Sequence, residues 1–235
     1  KLKALDLPVL FLSNLKSVSF EGNSVMGMYR KKAGTPRQQE DMVVRRVSLT
    51  LAMNDRETSQ QLLTFGRLGD DGLPYYIAYA LGSDKKLVPI ERPAFCFFPT
   101  KEVTNLHFIL HAPFLLTDSR EGIKAGEKHN HELIQMLAQL AADSLPVLRD
   151  EGLIDDGLLD IMPYDETKFS ASDDRRKVSF KPFYTAIKNK LQTDTLLPAA
   201  DGCSAKCRSY WASDTELVEL FADKQLAQLT GTENA

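Results

Sequence analysis

Arg120 stands in the run Phe114–Ile123, FLLTDSREGI, close to Asp118 and Glu121. A guanidinium is always charged and offers parallel donors that match a carboxylate or a phosphoryl group. Two uses follow. It pairs locally with Asp118 or Glu121, or it reaches outward to an anion. Lys101 follows the aromatic run CFFPT. A solvated surface lysine is the plainer expectation there. His107 and His111 stand four residues apart across FIL. Strand alternation predicts both on one face, where a pair can bind metal or exchange protons. Polar residues on a half-exposed strand explain them more simply.

Other candidate ligands are too few. Cys203 and Cys207 flank SAK, and His129 and His131 are separated by one residue. A structural zinc site takes four ligands, so no metal centre is expected. Cys96 lies in AFCFF and reads as a small buried hydrophobe. Three cysteines make a poor disulfide framework, and a reducing, cytoplasmic setting is expected. Basic residues gather at Arg30, Lys31, Lys32 and Arg37, at Arg45-Arg46, and at Arg175, Arg176 and Lys177. Phe180, Phe183, Tyr184, Tyr210 and Trp211 follow the last group. Charge of this kind binds phosphates and rings stack on bases. Nucleic acid is therefore an alternative partner, disfavoured because the tract before Arg175 is acidic. That tract, 150–174, lacks the spacing of an EF-hand loop. Walker A, GxGxxG, HExxH and GxSxG patterns are absent, so no main nucleotide pocket is expected in these residues.

The elements that must position these residues are legible in outline. Residues 7–21 read as two short strands around a turn at Ser13-Asn14. Strands are also predicted at 25–30, 43–53, 59–66, 73–81, 93–98 and 105–111, where β-branched and aromatic residues are frequent. The period then changes. Leu133, Met136, Leu137, Leu140 and Ala141 share one face of a helix over 128–149, which Pro146 is expected to kink or end. A helical turn and loop follow in 150–174. A short helix is predicted at 181–192 with Pro182 in its first turn, and a last one from Asp214 to Leu229. Strands, a long helix and then smaller helices make an α+β protein with an antiparallel or mixed sheet.

Composition fits this picture. The 235 residues carry 29 Lys and Arg against 32 Asp and Glu, a net charge of -3, with 43% hydrophobic and 26% charged residues. That excludes a disordered or fibrous chain. No apolar run approaches the length of a membrane span.

FLLTDSREGI resembles the N-x-S-R-E-x-L segment of the middle domain of the Hsp90 chaperone family, with Arg120 at the family's arginine. In that likeness Ser119, Arg120 and Glu121 open a helical element. The wider series Phe97–Thr100, Ala112–Arg120 and Ser144–Arg149 is similar to Hsp90-like ATPases related to sacsin repeats. The opening LPVLFLSNLKSVSF and the tract LLPAADG at 196–202 are similar to segments on either side of that domain. The resemblance implies an Hsp90 middle-like or transducer domain over 1–150, with a ribosomal S5-like fold, and a smaller helical extension over 151–235. It implies that Arg120 reaches the terminal phosphate of ATP held by an upstream GHKL domain. In related transducer domains a loop lysine does the same, and Lys101 is the candidate here.

The ATP domain's own motifs are not identifiable in this chain, which opens on Lys1 and reads as a segment cut from something longer. The fragment is expected to be inactive alone and to hold no cofactor. The full-length protein is expected to be an ATPase whose ATP and Mg2+ sit mainly in the upstream domain. Implied partners are that domain of the same polypeptide, a protein client and, at full length, a second copy; a membrane is not among them. Two alternatives stand beside this reading. One is a non-catalytic protein- or nucleic-acid-interaction module, with Arg120 in local ion pairs or basic residues converging on one face. The other is a free-standing enzyme with a deep pocket around His107, His111 and Arg120. The coupling reading expects an exposed Arg120 and no deep pocket.

Overall fold

The structure, a computed structural model, describes residues 7, 9–22, 25–53, 56–155, 157–169 and 178–198, with short pieces at 204–205, 220–222, 224–225 and 228. The chain is α+β. Its strands are β1 (Ser17–Gly22), β2 (Val25–Ala33), β3 (Arg37–Gln39), β4 (Met42–Met53), β5 (Arg56–Leu68), β6 (Pro74–Leu81), β7 (Leu87–Val88), β8 (Phe95–Cys96), β9 (Phe98–Pro99) and β10 (Ile109–His111). The main sheet runs β1-β2-β4-β5-β6-β10-β8-β9, with β3 beside β4 and β7 beside β6. Its pairs are antiparallel except β8 with β10, which is parallel. Helices α1 (Lys128–Asp150), α2 (Leu158–Ile161) and α3 (Lys181–Thr193) follow, then a short pair, β11 (Leu197–Pro198) and β12 (Ser204–Ala205).

β4 explains why the sequence alternates only in part. Met42 and Val44 belong to the core under α1, whereas Val47 and Leu49 belong to the core on the opposite face. Side chains alternate along a strand, so this change of parity marks a change in which face is covered. α1 covers one end of the sheet. Toward the other end, the opposite face is covered by Val9, Leu10 and Phe11. β6 is covered on both faces: Tyr75, Ile77 and Tyr79 point to α1, and Ala78 and Ala80 point away. Each fully buried large side chain of this kind contributes about 2 kcal/mol.

The segment before β1 differs from expectation. Ser17–Gly22 is a strand, but Val9–Phe11 forms turns closed by Leu10 N–H on the Leu7 carbonyl (3.1 Å) and Leu12 N–H on the Val9 carbonyl (3.4 Å). Its apolar residues form a cap and not a strand, because the face they bury is already part of a paired sheet. Lys31 holds the cap, donating to the carbonyls of Leu12 (2.5 Å) and Leu10 (3.4 Å). Burial, and then the nearby Arg45 charge, lower the Lys31 pKa.

α1 occupies the predicted span, but Pro146 does not end it and the helix continues to Asp150. Tyr79 Oη and Ser144 Oγ, both buried and 2.9 Å apart, tie α1 to β6. Residues on both sides of position 150 share one core, which includes Leu153, Ile161, Phe169, Phe183 and Leu196. The helix expected over Asp214–Leu229 lies almost wholly outside the described residues.

Candidate functional site

Arg120 sits at the tip of a tight loop between α1 and the sheet. The loop closes through Thr117 N–H on the Gly122 carbonyl (2.9 Å) and Arg120 N–H on the Thr117 carbonyl (2.8 Å). Leu116 and Ile123 form an isolated antiparallel bridge below it. The helical opening expected at Ser119–Glu121 is therefore a hairpin-like turn, and the helix begins at Lys128. The short-range hydrogen bonds of Thr117 and Ser119 favour the turn: Thr117 Oγ1 accepts Gly122 N–H at 3.2 Å, and the two hydroxyls are 3.2 Å apart.

Closing that turn puts Arg120 at φ 57°. This left-handed conformation costs an L-residue other than glycine roughly 1–2 kcal/mol. Arg120 is exposed. Its guanidinium makes no hydrogen bond or ion pair with a described residue. Both acidic neighbours are engaged elsewhere: Asp118 with Lys124 at 3.9 Å, and Glu121 with Lys101 at 2.7 Å. The local pairing open to Arg120 from its sequence is thus not formed.

The loop's base is held from several sides. Asn130, buried in the first turn of α1, donates to the carbonyls of Leu115 (2.9 Å) and Lys124 (2.8 Å) and accepts Leu115 N–H (2.8 Å). Glu102 accepts Ile123 N–H at 3.3 Å. Lys101 N–H donates to the Glu121 carbonyl at 2.6 Å. His129 and His131 each place Nε2 on a backbone carbonyl, of Pro113 (3.4 Å) and Ala125 (2.6 Å). The fold therefore brings Lys101 to Glu121, the residue after Arg120, with the Lys101 side chain 74% exposed. Sequence reasoning missed Asn130 and Glu102. A polar residue at a helix's first turn was the only hint of Asn130, and nothing local marked its three partners.

The two histidines do not form a pair. The chain bends at His107 and Phe108, so regular alternation begins only at Ile109. His107 places Nδ1 on the Asp160 carbonyl and Nε2 3.4 Å from the Glu91 carboxylate. It lines a shallow, open depression with Asn105, Tyr164, Asp165 and Lys168. His111 is buried elsewhere, stacked on Phe11 at 4.6 Å and Tyr76 at 5.9 Å. Its Nδ1 lies 3.3 Å from both the Phe95 carbonyl oxygen and the Phe97 nitrogen. Burial lowers its pKa to about 4, against the opposing effect of the Phe95 hydrogen bond. His111 is neutral near pH 7 and walled in by rings, which suits packing and not proton transfer.

Cys96 is half-buried with Sγ 3.3 Å from the Phe114 carbonyl, and burial raises its pKa. Cys203 and Cys207 lie outside the described residues. Among the described residues, no group of three or more His, Cys, Asp or Glu is placed to hold a metal, and no helix is long and apolar enough to cross a membrane. Of the aromatic residues weighed as base-stacking platforms, Phe180 and Phe183 are in the core and Tyr184 stacks on Phe169. Arg175, Arg176, Lys177, Tyr210 and Trp211 lie outside the described residues. Compared with known proteins, the chain matches no family model, no curated protein and no solved structure.

Proposed function

We propose that this chain is an inter-domain coupling segment of a larger Hsp90-like ATPase, and that Arg120 supplies a trans-domain contact to the terminal phosphate of ATP. One observation carries the reading. An exposed guanidinium without a partner among the described residues stands at the tip of a loop clamped at its base. Its positive φ is shared with Glu40, Lys85, Phe97 and Asn105, so the exposed charge on a clamped loop, and not the backbone conformation, carries the reading.

The chemistry is electrostatic. Phosphoryl transfer spreads charge over the phosphoryl oxygens, and a positioned guanidinium stabilises that charge and senses whether the phosphate is present. Lys101, held at Glu121, adds a second exposed cation at this loop. Its exposed pair with Glu121 is worth at most about 1 kcal/mol, so Lys101 can exchange that partner for a phosphate. ATP and Mg2+ belong mainly to the upstream domain, as do the glutamate and lid of the hydrolytic reaction. The finer form of this α+β architecture that the proposal carries is an Hsp90 middle-like, S5-like fold. A rigid sheet-and-helix body suits the transmission of nucleotide state to a client, a partner or a second copy.

The test is ATP turnover by the longer polypeptide that includes the upstream domain. Arg120→Ala should lower turnover by about 10²-fold, as loss of a transition-state donor does elsewhere. Unchanged turnover overturns the role given to Arg120. Binding of ATP by the isolated 235-residue chain, measured calorimetrically, overturns the assignment of the nucleotide site to another domain.

A further inference from the structure

The basic residues near the start of the chain do not form one cluster, because alternation divides them between the two faces of the sheet. Register decides the division. Arg30 stands opposite Thr50, Lys32 opposite Ser48, and Arg37 opposite Val44. Thr50, Ser48, Arg46 and Val44 share one parity of β4, and Val44 faces the α1 side. Arg30, Lys32, Arg37 and Arg46 therefore lie on the α1 side of the sheet. Lys31 and Arg45 lie on the other, where Lys31 holds the cap.

α1 does not cover the arm made by β1, β2 and the adjoining halves of β4 and β5. Arg30, Lys32 and Arg46 are exposed there. They occupy successive steps along the arm, each two residues apart, or about 7 Å. Ser48, Thr50, Ser59 and Gln61 lie between and beside them on the same face. The acidic residues of this face, Glu21 and Glu57, stand toward the opposite end of the arm, opposite Met26 and Ala52. Arg37 and Arg46 share Glu151, yet their side chains remain 61% and 50% exposed. Lys32 has no partner among the described residues, and Arg30 reaches only Met28 Sδ at 3.6 Å.

We infer that this face, which α1 and the other described elements leave exposed, is a docking surface for the phosphate backbone of double-stranded nucleic acid. Charge complementarity carries the argument: stepped cations with hydroxyl and amide donors between them suit a row of phosphates, and several such contacts supply sequence-independent affinity. The arm's rings decide against a single strand. Phe20 and Tyr29 point to the opposite, covered face with Val18 and Leu51, so among the described residues bases find no stacking platform on the cationic one. The surface is independent of Arg120 and of the ATPase reading.

The experiment is fluorescence anisotropy of the full 235-residue chain with a short labelled DNA duplex, over a series of salt concentrations. The double reversal Arg30→Glu with Lys32→Glu should weaken binding at least about tenfold and reduce the salt slope by about two contacts. Both side chains are exposed, and an unchanged melting temperature verifies the fold. The double reversal Lys85→Glu with Lys128→Glu, which changes net charge equally elsewhere, should leave binding close to wild type. Four results overturn the inference: no duplex binding at low salt, equal weakening by both double variants, tighter binding of a single strand, or displacement of the duplex by polyglutamate or anionic lipid vesicles at matched charge.

Discussion

Asn130 and Leu115 exchange hydrogen bonds in both directions: Leu115 N–H donates to Asn130 Oδ1 at 2.8 Å, and Asn130 Nδ2 donates back to the Leu115 carbonyl at 2.9 Å. The second Nδ2 hydrogen bond, to the Lys124 carbonyl at 2.8 Å, spans the loop that carries Arg120. One buried amide therefore joins α1 to both ends of that loop. Asn130→Ala should cost about 3 kcal/mol, because it leaves backbone groups without their partner. Urea denaturation reads the cost. Hydrogen exchange should show faster opening at Ile123 and Lys124 than elsewhere, and uniform protection would contradict a clamp.

Arg120 offers a test that separates fold from function. Its φ of 57° favours glycine, so Arg120→Gly should leave stability unchanged or raise it by up to about 1 kcal/mol. Arg120→Ala, which keeps the Cβ, should not gain. If the proposed coupling role holds, both should lose ATP turnover alike in the longer polypeptide. A variant more stable than wild type but inactive assigns the arginine to function. A large loss of stability in Arg120→Gly would assign it to the fold instead.

The Tyr79–Ser144 contact makes an asymmetric prediction. Ser144 Oγ donates to the Ala141 carbonyl at 2.8 Å, which leaves Tyr79 as the donor to Ser144. Tyr79→Phe removes that donor and leaves Ser144 bonded, at a cost of about 1 kcal/mol. Ser144→Ala leaves the Tyr79 hydroxyl buried and alone, at a cost of about 2 kcal/mol. Chemical denaturation of the two single variants and the double variant should give a coupled cycle, with the double costing less than the sum. Strict additivity would count against the pairing.

His111 makes stability depend on pH. Its folded pKa is about 4, below the ordinary value of 6.5. The unfolded chain therefore takes up the proton first as pH falls. The stabilising effect is complete above about pH 6.5 and is lost as pH falls through about 4, with a limit of about 3 kcal/mol. His111→Phe keeps a ring against Phe11 and Tyr76 and should flatten this part of the profile. Thermal melts between pH 7 and pH 4 would show it; parallel profiles for wild type and variant would remove His111 as the cause.

The chain's local patterns were sufficient for most of the elements, though not for the turns at Val9–Phe11 and Ser119–Glu121 or for β3 and β7. The 3.6-residue period set α1, and β-branched and aromatic runs set most of the strands, because those signals depend on neighbours within a few residues. Arg120 and Lys101 were singled out by the resemblance of their runs to Hsp90-like middle and transducer domains, not by local periodicity. What surrounds these residues was decided by contacts distant in sequence. Glu121 takes Lys101 and Asp118 takes Lys124, which leaves Arg120 without either. Asn130 reaches back across the loop. His107 and His111 part because the chain bends before β10, and Arg30 and Lys31 part because they alternate on a sheet that α1 covers over only one end. Alternation is written in the sequence. Which face becomes buried depends on where a helix from far along the chain comes to rest, and that is a property of the tertiary structure alone.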